Sequence, residues 1–292
     1  MYPRAMQYRE YGSTGVSLSV VGFGGICVKD ESGDDARRMV ETARERGINY
    51  FDVAPQYGNA EVMLGPALKP HRGEVFLACK TLQREAKAAR DDFNRSLERL
   101  RTDYLDLYQL HGIEGEEDVD HLLAPGGTLE LLEELKQRGL VRFVGFSAHN
   151  EDAALRLLRS YRFDSILFPI NWATWYQGNI GQRIVAEAEK QGIAVLALKA
   201  LALRRLQEGE EKQWHKSWYK PVETPEQARK GLRFTLSRPV TAAVSPGHEE
   251  LLWWACDAAD SFTPLSQEEE AEIAREAHGT PPLFSREITS IR

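Results

Sequence analysis

Three apolar runs each end in a side chain that can hold or move a proton. INYFD ends in Asp52, VFLACK in Lys80 and LDLYQLH in His111, while a phenol, Tyr57, follows Asp52 within APQYGNAE. An acid, a phenol, an amine and an imidazole together suit reduction of a carbonyl. Hydride arriving at a carbonyl carbon leaves an alkoxide that must be protonated, and Tyr57 can act as that general acid. A free phenol has a pKa of about 10, high for work near neutrality. A neighbouring Lys80 ammonium favours the phenolate and lowers that value, and the Asp52 carboxylate holds the ammonium in place. An N–H of His111 can orient the substrate oxygen and stabilise its developing charge.

Each residue has a plainer reading on its own. An Asp at a strand end caps turns, a Lys there is solvated, a Tyr beside Gly is common in loops, and a His near an apolar run packs in cores. The conjunction raises the chemistry above these readings. Three consecutive apolar runs deliver polar groups at their ends, as they do where parallel strands reach the catalytic rim of a barrel.

Eight strand-like runs fit this picture: residues 19–23, 48–52, 75–79, 104–109, 141–146, 165–169, 194–198 and 241–244. Most lack polar alternation, as strands buried on both faces do. Helical segments alternate with them at 34–46, 91–100, 128–138, 151–160, 180–191 and 224–236. Gly47 and Gly139 supply C-terminal stops, Thr128 offers an N-cap, and Thr224 caps a helix opening on Pro225. The alternation predicts a parallel sheet, and its length predicts an α/β (β/α)₈ TIM barrel. A doubly wound sheet is the second architecture, but the first strand–helix turn lacks G-x-G-x-x-G. Residues 7–11 and 16–18 predict an N-terminal β-hairpin, and 267–277 a helix in the C-terminal tail. Residues 1–292 read as one domain.

Composition narrows the function. The chain has 292 residues, 42% hydrophobic and 28% charged, with a net charge of −7. That balance lacks the basic face a nucleic-acid partner requires. Cys27, Cys79 and Cys256 are too dispersed for a local metal motif, so no metal site is expected and a reducing compartment is. The N-terminus lacks the apolar stretch of a signal peptide, and no run is long enough to span a membrane. A cytoplasmic location is expected.

With these residues in view, the chain resembles the aldo-keto reductase family. GINYFDVAPQYGNAEVMLG resembles the family's Asp–Tyr signature, LACK and LYQLH its Lys and His strands, and SPGHEEL its phosphate-binding loop. GSTGVSLSVVGFGG and VRFVGFSAHN are similar to its N-terminal hairpin with the first strand and to its fifth strand. The resemblance, over residues 7–265, implies a (β/α)₈ barrel binding NADPH or NADH and reducing a small-molecule carbonyl substrate. It places Asp52, Tyr57, Lys80 and His111 in catalysis. By the same resemblance Gly24 and Gly25 approach the nicotinamide end, and Ser147 bonds the carboxamide. Lys199, Ala200 and Leu201 line the pyrophosphate; Ser245, Pro246 and Gly247 lie near the adenosine phosphate. Otherwise Gly24 and Gly25 serve a tight turn, and Ser147 caps the following helix.

Three positions depart from the family pattern. Ala148 follows Ser147 where Asn is common, Leu167 stands for a Gln, and Leu198 stands for an aromatic. Each removes a contact expected to orient nicotinamide, leaving shape and other residues, His149 among them. The stretch after Ser245 has Glu249 and Glu250 but no nearby Lys or Arg, which locally favours NADH. Arg204, Arg205 or Lys220 could instead bring charge to a 2′-phosphate.

Aromatic clusters add two candidates. WHKSWY (214–219) either covers the site or packs on itself, and Asn171, Trp172, Trp175 and Tyr176 form either a substrate wall or core. Trp253 and Trp254 fit core or interface packing, and pleating points Cys79 away from Lys80. Two other functions compete: a non-catalytic NAD(P)-binding regulator on the same barrel, and a lyase or hydrolase using a metal or a Lys80 Schiff base.

Overall fold

The computed structural model describes residues 6–288. Eight strands close into a parallel barrel: Val21–Gly24, Tyr50–Asp52, Phe76–Thr81, Leu105–Ile113, Val141–Ala148, Ser165–Pro169, Ala194–Leu198 and Ala242–Val244. Neighbours in sequence are neighbours in the sheet, and Ala243 against Val21 with Ala242 against Leu196 closes the ring. The first three strands are buried at every residue, which explains their unbroken apolar character.

The third to fifth strands run further than sequence patterning indicates. Lys80 pairs in register with Gln109, and Thr81 with Leu110. Polar residues mark strand ends in sequence, yet a buried partner lets the ladder continue through them.

Helices separate the strands and cover the barrel. Ser32, Asn150 and Thr224 each accept a backbone N–H at a helix start, and Ser266 forms a capping box with Glu269. Thr128 does not cap: Gly127 holds that position, and Thr128 Oγ1 donates to the Gln83 carbonyl at 2.7 Å. Ala60–Leu68 is helical despite Gly65 and Pro66. Gly65 is required there because a Cβ would lie 2.3 Å from the Arg99 carbonyl oxygen.

The N-terminal hairpin, Tyr8–Glu10 against Ser17–Ser19, closes the lower mouth. Tyr11 is fully buried there, 5.1 Å from the Phe76 ring and 5.3 Å from Phe143, and donates to Ser165 Oγ at 2.7 Å. With that end plugged, the C-terminal mouth is free for a site. The tail helix, Gln267–Ala277, joins a cluster containing Trp172 and Phe234. Phe284 then returns to the C-terminal mouth, stacking on His149 at 4.6 Å.

Candidate active site

The strand registers bring Asp52 and Lys80 together. Lys80 Nζ donates to the Asp52 carboxylate, and to the Val53 carbonyl at 3.3 Å; both residues are about 1% exposed. Tyr50 Oη and Gln109 Nε2 donate to the second carboxylate oxygen, each at 3.2 Å. Burial alone would lower the Lys80 pKa, but Asp52 and Tyr57 outweigh it and hold the value above the usual range. The ammonium therefore stays charged. That state does not suit the Schiff-base reading, which needs a neutral amine.

Tyr57 lies beside this pair, its ring centroid 5.3 Å from Lys80 Nζ. Burial raises the phenol's pKa, Lys80 opposes the rise, and the net value stays above the ordinary one. The lowering expected from Lys80 is thus present but overcome by desolvation. His111 meets Tyr57 edge-on at 6.1 Å, with Nδ1 3.2 Å from Gln56 Oε1. Burial, then the positive Lys80, hold its imidazole well below the usual range, so it is neutral. The arrangement has an ammonium fixed on a carboxylate, a protonated phenol and a neutral imidazole.

A cleft enclosing about 540 Å³ of space open to solvent joins part of this group to the eighth strand–helix loop. Its walls include Asp52, Tyr57, Gly24, Leu198, Lys199, Ser245, Pro246 and Gly247. Gly24 is extended (φ −73°), so a turn does not require it. Its N–H donates to Ser245 Oγ at 3.0 Å, and a Cβ there would lie 2.3 Å from the Ser245 carbonyl oxygen. Gly25 opens a short 3₁₀ turn, Gly25–Val28, against Asp52. Close approach of the first and eighth loops explains the glycines.

Other expected binding residues are placed differently. Ala200 and Leu201 are buried and do not line the cleft. Ser147 is also buried; its Oγ accepts the Gly112 N–H at 2.8 Å, and Asn150 caps the following helix. Leu167 faces Ser147 across the ladder and belongs to the apolar barrel interior, while Ala148 is fully buried. Neither supplies a polar group.

The insertion after the seventh strand is framed by a hairpin, Ala202–Arg205 with Tyr219–Pro221. Trp214 packs on His248 and Trp254, and Lys216 Nζ donates to the Cys27 carbonyl at 2.9 Å and to Glu31 at 2.5 Å. Lys216, Ser217, Trp218 and Tyr219 then form one wall of the cleft. The insertion both packs and covers. Trp172, Trp175 and Tyr176 pack with Phe234, and Asn171 ties its helix to the seventh-strand turn. Cys79 points away from Lys80, with Sγ 3.5 Å from Glu61.

The cations considered for a 2′-phosphate are engaged elsewhere. Arg204 makes two bonds to Glu210 (2.7 and 2.8 Å), Lys220 pairs with Glu210 and Glu223, and Arg205 donates to the Leu283 carbonyl. Arg38 reaches the eighth loop instead, bonding Glu249 through both terminal nitrogens at 2.6 and 2.9 Å. Sequence reading missed Arg38, Gln56, Tyr50 and Gln109. Tyr50 and Gln109 stand two residues before Asp52 and His111, so strand alternation places them on the same faces. Among the described residues, no group of three or more His, Cys, Asp or Glu is placed to hold a metal, and no helix is long and apolar enough to cross a membrane.

The eight-stranded parallel barrel thus carries Asp52, Tyr57, Lys80 and His111 at its C-terminal mouth. The Aldo/keto reductase family model matches residues 20–272, so this chain belongs to the aldo/keto reductase family. An uncharacterized oxidoreductase of Bacillus subtilis, YqkF, is 33% identical over 176 residues, 56% of this chain but only 55% of that protein. L-galactose dehydrogenase of Arabidopsis thaliana is 30% identical over 232 residues, 72% of this chain and 70% of that protein. The holo form of aldo-keto reductase AKR11C1 from Bacillus halodurans matches with a TM-score of 0.75 at 25% identity, covering 96% of this chain and 98% of that one.

Proposed function

We propose that this protein reduces aldehydes and ketones with NADPH or NADH, using Tyr57 as general acid. The observation that carries the reading is the buried Lys80–Asp52 pair beside a Tyr57 that burial keeps protonated. The reduced nicotinamide, when bound, supplies the hydride. Tyr57 then gives its proton to the carbonyl oxygen, and Lys80 stabilises the phenolate that remains. Asp52 keeps the ammonium charged and aimed, and neutral His111 orients the carbonyl oxygen through an N–H.

The residues of the cleft fit a dinucleotide. One wall carries the proton-transfer group, another the Ser245, Pro246 and Gly247 loop, and Lys216 adds a cation. Gly24 and Gly25 let the first loop close on Ser245 and Asp52, while Ala200 and Leu201 lie buried behind the wall that Lys199 lines. The free, buried cysteines fit a cytoplasmic setting.

The test is turnover of 4-nitrobenzaldehyde and methylglyoxal with each cofactor, followed by loss of reduced-nicotinamide absorbance. Measurable reduction supports the proposal. Cofactor binding without turnover of any aldehyde or ketone would reject it.

A further inference from the structure

Lys199 carries a charge that its surroundings leave uncompensated. It follows the seventh barrel strand in a left-handed conformation (φ +66°), unusual for a residue with a side chain. Asn171 holds that turn, its Nδ2 donating to the carbonyls of Lys199 at 3.2 Å and Ala202 at 2.6 Å. The ammonium sits 4.6 Å from the Tyr219 ring centroid and 5.4 Å from that of Trp218. Lys80 and Lys216, by contrast, each have a carboxylate, Asp52 and Glu31. Among the described residues no carboxylate pairs with Lys199, and burial followed by repulsion from Lys80 pushes its pKa down to about 8. Aromatic faces attract a cation but return only part of its lost hydration.

A second polar group of the same wall is also unsatisfied. His149 is 4% exposed and its Nδ1 has no partner. It stacks on Phe284, which meets Trp218 edge-on at 5.8 Å, so His149 and Lys199 flank one aromatic wall. Burial and then Lys199 drive the His149 pKa down to about 3, leaving a neutral imidazole. An unpaired ammonium and an unpartnered imidazole beside a catalytic group mark a place for a polar ligand.

We propose that Lys199 seats a carboxylate on the carbonyl substrate itself, so that oxo acids and aldehyde acids are the favoured substrates. This rests on the reductase reading. The neighbours of the ammonium place it on the proton-transfer side of the mouth. Its charge acts on Lys80, His111 and His149, across the mouth on the third to fifth strands. The carboxylate is a spectator: hydride still adds to the carbonyl carbon, and the proton still comes from Tyr57. A charge-assisted hydrogen bond in this partly dry cleft fixes the substrate's orientation.

The experiment compares 4-carboxybenzaldehyde with its neutral methyl ester, methyl 4-formylbenzoate. Wild-type protein is expected to prefer the acid in kcat/KM by at least about tenfold, mainly through KM. Lys199→Met should bring the ratio close to one, and Lys199→Arg should keep part of it. A wild-type ratio near one, with the ester turned over, would overturn the inference and leave the reductase reading standing. So would a Lys199→Met protein that loses activity equally on both while its NADPH Kd, measured by fluorescence titration, rises tenfold or more. That pattern would give the ammonium to the cofactor's diphosphate. No turnover of either compound by a protein that reduces 4-nitrobenzaldehyde would overturn the inference alone, and the wild-type comparison decides if the variants do not fold.

Discussion

The Lys80 ammonium and the Asp52 carboxylate form an ion pair almost wholly withdrawn from solvent. Its carboxylate is further bonded by Tyr50 and Gln109, so both charges have their partners. Removing one partner strands the other in a poorly solvated site, at a cost of about 3–5 kcal/mol. Asp52→Asn and Lys80→Met should each lower the urea midpoint accordingly, and the double variant should lose less than their sum. Strictly additive losses would show that the two charges do not support each other.

Gln56 sets which nitrogen of His111 carries the proton. Orienting a carbonyl requires one imidazole N–H to face the substrate. Gln56 Oε1 faces Nδ1 at 3.2 Å and accepts its N–H; turning the amide over presents its NH2 to Nδ1 instead and moves the proton to Nε2, toward the substrate. Gln56→Glu can only accept, drawing the proton onto Nδ1. Its kcat/KM for a neutral aldehyde should fall by about tenfold or more, whereas Gln56→Leu should cost less. Equal rates for Gln56→Glu and wild type would exclude this role.

The pH profile follows from two opposed shifts. His111 is held well below the imidazole range and stays neutral, and Tyr57 is held above the phenol range and stays protonated. Reductive kcat/KM for an uncharged aldehyde should therefore be flat from about pH 7 to 9. For a carboxylate-bearing aldehyde it should fall above pH about 8, as Lys199 loses its proton. Parallel profiles for the two substrates would contradict this assignment.

Much of the site was legible because its residues end apolar runs. Asp52, Lys80 and His111 interrupt buried strands, and such a break marks the barrel rim. The strand ends were less legible, since Lys80 remains in the ladder opposite Gln109. The helix Ala60–Leu68 was hidden by Gly65 and Pro66, because Gly65 answers to the distant Arg99 backbone. The partners of Glu249 and Glu210 were equally hidden, since Arg38 and Arg204 reach them only after folding. Sequence marked Lys199 as a binding position but could not show that its ammonium lacks a carboxylate.

The proposed reaction depends on Tyr57 supplying the proton. Tyr57→Phe removes only the hydroxyl, so its kcat for reduction of 4-nitrobenzaldehyde under cofactor saturation is the most direct measurement. That kcat is expected to fall by at least about 10²-fold, with NADPH binding retained. A kcat near that of the wild type would contradict it.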